Sequence, residues 1–128
     1  SKERARQLVK ELRQRGVTVS LDDFGTGYAS VGYLLEYGFN KIKIDKTLTH
    51  MALSDPNAQK IVQGTILIAR GLSTGITAEG IETEEQARIM HLAGCSELQG
   101  FHFGGPVSAA EINKLLAPRK LSAPAQSA

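Results

Sequence analysis

Residues 40–45 read Asn-Lys-Ile-Lys-Ile-Asp, and the alternation in this stretch decides the fold. Successive side chains of a strand point to opposite faces, so Ile42 and Ile44 share one face while Lys41 and Lys43 share the other. A parallel strand covered by helices on both faces would instead be apolar throughout. The stretch therefore predicts a strand with one face packed on helices and one polar face.

The same two-sided pattern recurs in residues 17–21, 75–79 and 96–100. The apolar faces of these segments carry Val19, Leu21, Ile76, Ala78 and Leu98. Their polar faces, together with the residue directly after the first strand, carry Ser20, Asp22, Thr77, Glu79, Glu97 and Gln99. Segments with helical spacing and capping signals lie before and between these strands and after the last one: 2–15, 28–37, 56–70, 83–93 and 108–116. Alternation of strand and helix predicts a parallel sheet with right-handed crossovers.

Two parallel architectures fit this order, an open doubly wound sheet and a barrel. Polarity on one face only favours the barrel, in which helices cover the outside and strand side chains point inward. A complete (β/α)8 barrel takes about 250 residues, so four units correspond to half of one. We predict an α/β fold of parallel βα units forming half of a TIM-type barrel over residues 1–117. Residues 118–128 are rich in Ala, Pro and Ser and are expected to be a disordered tail.

Composition excludes several classes of protein. The 128 residues are 41% hydrophobic and carry a net charge of +2, which is ordinary for a soluble domain and gives no basic field for a nucleic acid polymer. The single cysteine, Cys95, cannot form an intrachain disulfide and is expected to be buried. Because no long apolar run or signal peptide is visible, we expect a cytoplasmic location, with any membrane anchor outside this sequence.

Acidic side chains gather at the carboxyl ends of the predicted strands, which is the catalytic end of a (β/α)8 barrel. Asp22, Asp23 and Glu79 offer only oxygen ligands, which favour Mg²⁺ or Mn²⁺ over Zn²⁺. Lys43 shares their inward face and could position an attacking water or offset phosphate charge. Gln99 could hydrogen-bond to a substrate. Together these residues suggest two-metal hydrolysis of a phosphodiester.

Each of these residues also has a simpler interpretation. Asp22 and Asp23 before a glycine fit an Asx turn, and strict alternation would point Asp23 away from Asp22 unless the chain turns at Phe24 and Gly25. Lys43 alone could be a solvated lysine. The three histidines lack metal-ligand spacing and are predicted to be structural: His50, His91 and His102. Residues 104–106, Gly-Gly-Pro, are predicted to be a turn rather than a phosphate loop.

Four segments, in order, resemble motifs of the EAL domain family. They are Leu-Asp-Asp-Phe-Gly-Thr-Gly at 21–27, Lys-Ile-Lys-Ile-Asp at 41–45, Ala-Glu-Gly-Ile-Glu-Thr at 78–83, and Gly-Cys followed by Gln-Gly-Phe and Pro within 94–106. The resemblance spans nearly the whole chain apart from the tail. It implies the C-terminal half of a TIM-type barrel that hydrolyses cyclic-di-GMP to linear pGpG with Mg²⁺ or Mn²⁺ in bacterial signalling.

The resemblance also implies roles for individual residues. Asp22 and Asp23 resemble the aspartates that hold the metals, with Asp22 bridging them, and Glu79 resembles the metal-binding glutamate of the seventh strand. Lys43 resembles the lysine that contacts the nucleophilic water. Together, Asp22, Lys43 and Glu79 are the expected catalytic residues.

Further positions are expected to bind substrate or support the site. Gln99 resembles the eighth-strand glutamine near the metals, and both Gln99 and Pro106 are expected to contact substrate. Glu82 is expected to support the site from behind. The loop that couples the metal site to a dimer interface is expected to comprise Phe24, Gly25, Thr26 and Gly27.

The family's signature Glu-Ala-Leu, an asparagine and a further glutamate, carried by its first four strands, have no counterpart in this sequence. We therefore expect a phosphodiesterase fragment that is inactive alone. One alternative is a half barrel without turnover that binds nucleotide or self-associates, through its open strand edges or the loop at 22–27. Another is a different metal-dependent barrel enzyme in which Lys43 is a general base.

Overall fold

The computed structural model describes residues 1–25 and 31–118, in which helices and strands alternate. The strands are β1 (Ser20–Phe24), β2 (Lys41–Ile44), β3 (Gly75–Ala78) and β4 (Glu97–Leu98). The helices are α1 (Lys2–Gln14), α2 (Val31–Tyr37), α3 (Lys46–Met51), α4 (Pro56–Gly71), α5 (Glu84–Ala93) and α6 (Ala109–Leu116). A 3₁₀ turn spans Phe101–Phe103. Thr26, Gly27 and residues 119–128 of the expected tail lie outside the described residues.

The strands form one sheet in the order β1-β2-β3-β4, and every neighbouring pair is parallel. In register, Ile42 of β2 lies beside Ile76 of β3, and Ile44 beside Ala78. Sequential order with parallel pairing requires a helical crossover between neighbours. The prediction of an α/β fold built from parallel βα units is confirmed.

The core lies between one face of this sheet and the helices. Ile42, Ile44 and Ala78 have no exposed surface, and they pack in one cluster with Val62 and Ile66 of α4. Burying each large aliphatic side chain contributes about 1.5–3 kcal/mol. The apolar stripe in each strand thus fixes which sheet face the helices cover, and it leaves the other face for polar side chains.

The helix boundaries follow the capping signals of the sequence. Asp55 caps α4 by accepting a hydrogen bond from the Asn57 N–H, and Pro56 occupies the first turn. Thr83 and Gln86 form a capping box at the start of α5, which ends at Gly94 with φ of 112°. Within the described residues, the helices are all too short or too polar to cross a membrane.

The structure differs from the sequence prediction at three elements. α3 follows β2 directly, with Asp45 as its N-cap, although β-branched Thr47 and Thr49 weaken the helical signal there. β4 comprises two residues, because the chain turns into the 3₁₀ segment soon after it. β1 begins at Ser20 rather than Val17 and continues to Phe24.

A charged pair spans the amino-terminal side of the polar face. The Lys41 Nζ of β2 lies 2.7 Å from both carboxylate oxygens of Glu97 in β4. The buried hydroxyl of Thr77, in the strand between them, donates to the same carboxylate at 3.3 Å. The hydrogen bond from Lys41 holds the pKa of Glu97 below its ordinary value. This pair ties β2 to β4 across β3 at the end of the sheet opposite the acidic residues.

Gly100 lies against the backbone of the loop that follows β3. Ile81 in that loop is fully buried, its N–H donates to the Gln99 carbonyl at 3.0 Å, and its carbonyl accepts from His102 at 3.0 Å. A Cβ at position 100 would lie 2.0 Å from the Ile81 carbonyl oxygen. Since the obstacle is backbone, it cannot move aside as a side-chain tip would.

We predict that Gly100→Ala lowers the free energy of unfolding by about 1–3 kcal/mol, as overpacking does. The matched control is Gly64→Ala in the interior of α4, where an added Cβ meets no atom within 4 Å. That change is expected to stabilise by about 0.5–1 kcal/mol, because alanine favours a helix over glycine. Urea unfolding of both variants measures the difference, and a Gly100→Ala protein as stable as wild type would contradict this packing.

Candidate metal centre

A β-bulge in β1 brings two neighbouring aspartates to the polar face. Leu21 pairs with Ile42 and Phe24 pairs with Ile44, so Asp22 and Asp23 together occupy the space opposite one residue of β2. Asp23 adopts φ of 56°, in the left-handed region that aspartate enters more readily than most residues other than glycine. Both flanking residues, Leu21 and Phe24, remain buried. The extra residue therefore keeps the apolar pattern in phase on either side of the aspartates.

The bulge resolves the conflict between strict alternation and a shared site. The expected turn occurs at Asp23, one residue before the Phe24-Gly25 pair from which it was predicted. The Asp23 N–H donates to Asp22 Oδ1 at 2.8 Å, a local contact one residue shorter than that of an Asx turn. The local contact and the shared site thus coexist, and neither excludes the other.

Three carboxylates converge at the carboxyl ends of β1 and β3. Asp22, Asp23 and Glu79 each offer one oxygen, and the three oxygens lie within 4.8 Å of one another. The two aspartates are exposed, whereas the Glu79 side chain is 19% exposed. Donors that are all carboxylate oxygens suit a hard divalent cation such as Mg²⁺ or Mn²⁺. The donor set therefore fits the metal that the sequence predicted.

Lys43 of β2 contacts one member of this group. Its Nζ is 2.8 Å from Glu79 Oε1, and both side chains are largely shielded from solvent. Burial raises the pKa of Glu79, the hydrogen bond from Lys43 lowers it, and the nearby Asp22 raises it again. The hydrogen bond to Glu79 is the main reason that the pKa of Lys43 is raised. Carboxylates this close to one another repel, and a cation between them would relieve that repulsion.

The carboxylates open into a depression of about 580 Å³ at the carboxyl end of the sheet. Its wall includes three other residues that the sequence nominated: Glu82, Gln99 and Pro106. Phe24 does not reach it, because its side chain is buried in the core. Gly25 lies beside Leu48 of α3 instead. The structure therefore brings together the proposed ligands and substrate-contacting residues, and it separates Phe24 and Gly25 from them.

Apart from glycines, three residues of the depression have no role in the sequence prediction: Asp45, Lys46 and Phe101. Asp45 also caps α3, where its carboxylate accepts from the Thr47 N–H at 2.9 Å. Phe101 is 69% exposed at the edge of the wall. Asp45 could have been predicted as a site residue because it follows β2 directly. The same place at a strand end is the basis for predicting Asp22 and Glu79. Lys46 and Phe101 carry no comparable signal.

The His50 ring, predicted to be structural, lies behind the depression. Its Nε2 is 2.9 Å from the Gly80 carbonyl oxygen and 3.9 Å from Glu82 Oε1. Glu82 therefore lies near His50, and it is not a member of the group of three carboxylates. Cys95 is buried as expected, and burial raises its pKa to about 11, so the thiol stays protonated and inert at neutral pH.

Sequence comparisons with known proteins all indicate the same family. The sequence model of the EAL domain matches residues 1–106. The cyclic di-GMP phosphodiesterase PdeL of Escherichia coli is 43% identical over 103 residues, which cover 80% of this chain and 28% of PdeL. The chain spans between 13% and 28% of the length of PdeL and seven other curated relatives.

Solved structures agree with this assignment. The EAL domain of Mycobacterium smegmatis DcpA superposes with a TM-score of 0.84 at 34% identity, over 91% of this chain and 52% of that chain. The manganese and cyclic-di-GMP complex of Klebsiella pneumoniae BlrP1 superposes with a TM-score of 0.72 at 33% identity, over 79% of this chain and 26% of that chain. The match to about half of an isolated EAL domain confirms that the βα units correspond to half of a TIM-type barrel. Motifs, sheet and superposition all agree, and the chain belongs to the EAL domain family.

Proposed function

We propose that this chain supplies the C-terminal half of the catalytic site of a bacterial cyclic-di-GMP phosphodiesterase. The observation that carries the proposal is the group of three carboxylate oxygens within 4.8 Å, beside Lys43 and open to a depression. The family of the chain and the activity named for PdeL support cyclic-di-GMP as the substrate. The reaction would open one phosphodiester bond to give linear pGpG, in the cytoplasm.

Asp22, Asp23 and Glu79 would hold Mg²⁺ or Mn²⁺, with Asp22 shared between two cations. Divalent cations supply positive charge that stabilises the attacking and leaving oxygens of a phosphodiester. A relative solved with manganese and cyclic-di-GMP is consistent with such a cation. The two aspartates are exposed to solvent, and Glu79 is largely shielded from it. Glu79 would therefore be the ligand with the most fixed position, and the aspartates would remain accessible to the cation.

Lys43 is proposed to orient the attacking water and to keep Glu79 ionised. Burial and Asp22 both push the Glu79 carboxyl toward its neutral form, and the ammonium at 2.8 Å opposes them. The raised pKa of Lys43 keeps the ammonium protonated at neutral pH. A general base must be able to lose its proton near the working pH. This geometry therefore disfavours the alternative enzyme in which Lys43 abstracts a proton.

The remaining predicted residues are proposed to act around this group. Gln99 and Pro106 line the depression and would contact the nucleotide. Glu82 would support the site from behind, since its carboxylate faces His50. The segment from Phe24 to Gly27 would connect the aspartates to a partner surface. Phe24 anchors that segment in the core.

The isolated chain is proposed to be inactive. The resemblance to the family implies further ligands, a glutamate, an asparagine and a second glutamate, that this sequence does not supply. Losing even a residue that only supports a ligand costs about tenfold to a hundredfold in metal affinity or activity, and losing several ligands should cost more. The three carboxylates would then form a weak cation site without turnover.

Self-association is a second candidate, favoured by the unpaired sides of the sheet. Within the described residues, β1 pairs only with β2 and β4 only with β3. The flanking helices α1 and α6 bury no residue. Three of their apolar side chains are more than half exposed: Leu8, Leu115 and Leu116. Pairing β4 of one copy with β1 of another would cover both edges and continue the parallel order. Two copies would then surround one central site.

We predict that Lys43→Met raises the pKa of Glu79 further above its ordinary value, because burial and Asp22 are then unopposed. Carboxylate carbon resonances followed against pH by NMR report each glutamate separately. The matched control is Lys41→Met on the same strand face, which should raise the pKa of Glu97 and leave that of Glu79 unchanged. A Glu79 pKa that does not respond to Lys43→Met would contradict the proposed role of the lysine.

We predict that the purified chain does not hydrolyse cyclic-di-GMP with Mg²⁺ or Mn²⁺. The same residues 1–106 placed in the matching segment of PdeL should restore turnover to pGpG. Glu79→Gln in that chimera should reduce the rate at least about a hundredfold, since a ligand matters more than its supports. Chromatography of the products measures both reactions, and the chimera carrying Lys60→Gln, an exposed lysine on α4, is the control.

A folded chimera that leaves cyclic-di-GMP intact would overturn the proposed substrate. Turnover by the isolated chain, abolished by Glu79→Gln, would instead overturn the proposed inactivity. Light scattering on the same sample then separates two explanations. A dimeric mass would favour the paired half barrels, and a monomeric mass would show that half of the barrel suffices.

A further inference from the structure

The loop after β3 turns at a glycine directly behind the proposed ligand Glu79. The Glu79 N–H donates to the Ile44 carbonyl at 3.0 Å, which ends the strand pairing. Gly80 then adopts φ of 74°, in the left-handed region that glycine enters at little cost. A glycine in this position can also leave that conformation easily. Something else must fix the orientation of the peptide that follows it.

The peptide between Gly80 and Ile81 is held at both of its polar atoms. Its carbonyl oxygen lies 2.9 Å from His50 Nε2, and its N–H donates to the Gln99 carbonyl at 3.0 Å. A carbonyl oxygen only accepts hydrogen bonds, so Nε2 of His50 carries the proton. Rotation of this peptide would break both bonds together. His50 on α3 and the backbone of Gln99 after β4 thus hold it from two sides.

The backbone that carries His50 is held in place by helix α3, so the position of the imidazole is well defined. Its helix α3 is capped by Asp45 and buries Leu48 and Thr49, the two residues before His50. The helix also lies directly against the loop, because a Cβ at Gly80 would be 2.4 Å from Lys46 Cβ. The loop therefore has little room to shift toward α3. The imidazole of His50 sets the direction of the Gly80 carbonyl.

We propose that His50 is a positioning residue that holds Glu79 in its ligand geometry by anchoring the Gly80 carbonyl. This inference rests on the proposed function, in which Glu79 binds a divalent cation. His50 acts through the peptide that follows Glu79 and is a member of neither the carboxylate group nor the wall of the depression. Its other polar neighbour is the Glu82 carboxylate, at 3.9 Å from the same nitrogen.

Two substitutions separate positioning from simple packing. His50→Ala removes the donor, whereas His50→Gln retains an N–H of similar reach. His91→Ala is the matched control, since His91 is an exposed histidine in the last turn of α5. Each variant is measured as the full chain, in two ways: amide hydrogen exchange at Ile81 without metal, and the dissociation constant for Mn²⁺ alone.

We expect His50→Ala to speed exchange at the Ile81 N–H at least about tenfold, because the peptide is then free to rotate. The same variant should weaken Mn²⁺ binding about tenfold, the cost typical of losing a residue that orients a ligand. His50→Gln and His91→Ala should both remain within about threefold of wild type in each measurement. Rescue by glutamine is the result that a packing role alone would not give.

Unchanged exchange at Ile81 in His50→Ala would overturn the anchor itself. Faster exchange with unchanged Mn²⁺ affinity would overturn the link between the anchor and Glu79. A wild-type chain that binds no Mn²⁺ would overturn the proposed metal site and with it the role of His50. The last outcome is distinguished from the others because it appears in the wild type before any substitution.

Discussion

The extra residue in β1 determines where every other group of the candidate site must lie. Without it, Asp22 and Asp23 would point to opposite faces, and one carboxylate would enter the apolar core. The bulge, with Asp23 at φ of 56°, turns both toward the polar face and still returns Phe24 to the core. Phe24 then pairs with Ile44, one strand residue beyond Lys43. The aspartates thereby face Lys43 and Glu79.

The other strands of the sheet also separate an apolar face from a polar face. Their apolar faces pack on the helices, and their polar faces carry a charged pair at one end and the carboxylate group at the other. Lys41 pairs with Glu97 at 2.7 Å, and Lys43 pairs with Glu79 at 2.8 Å beside the two aspartates. The carboxyl-terminal end carries the three carboxylates that we propose to bind a cation.

Periodicity was sufficient to predict the parallel order and the position of Asp22, Lys43 and Glu79, because strand alternation fixes which side chains share a face. It could not locate the bulge, since a bulge breaks that alternation, and Phe24-Gly25 suggested a turn one residue late. Helix α3 was missed because its threonines favour strands. The contact of His50 with Gly80 joins residues thirty positions apart, and no local pattern encodes it.

We propose that the bulge in β1 assembles a divalent cation site from Asp22, Asp23 and Glu79. The most direct measurement is an anomalous difference map from crystals of this chain soaked in Mn²⁺. The predicted result is a peak bonded to oxygens of all three carboxylates, at about 2.1 Å, the distance of small divalent cations. A map in which Mn²⁺ binds elsewhere, or in which Asp23 points away from an occupied site, would contradict it.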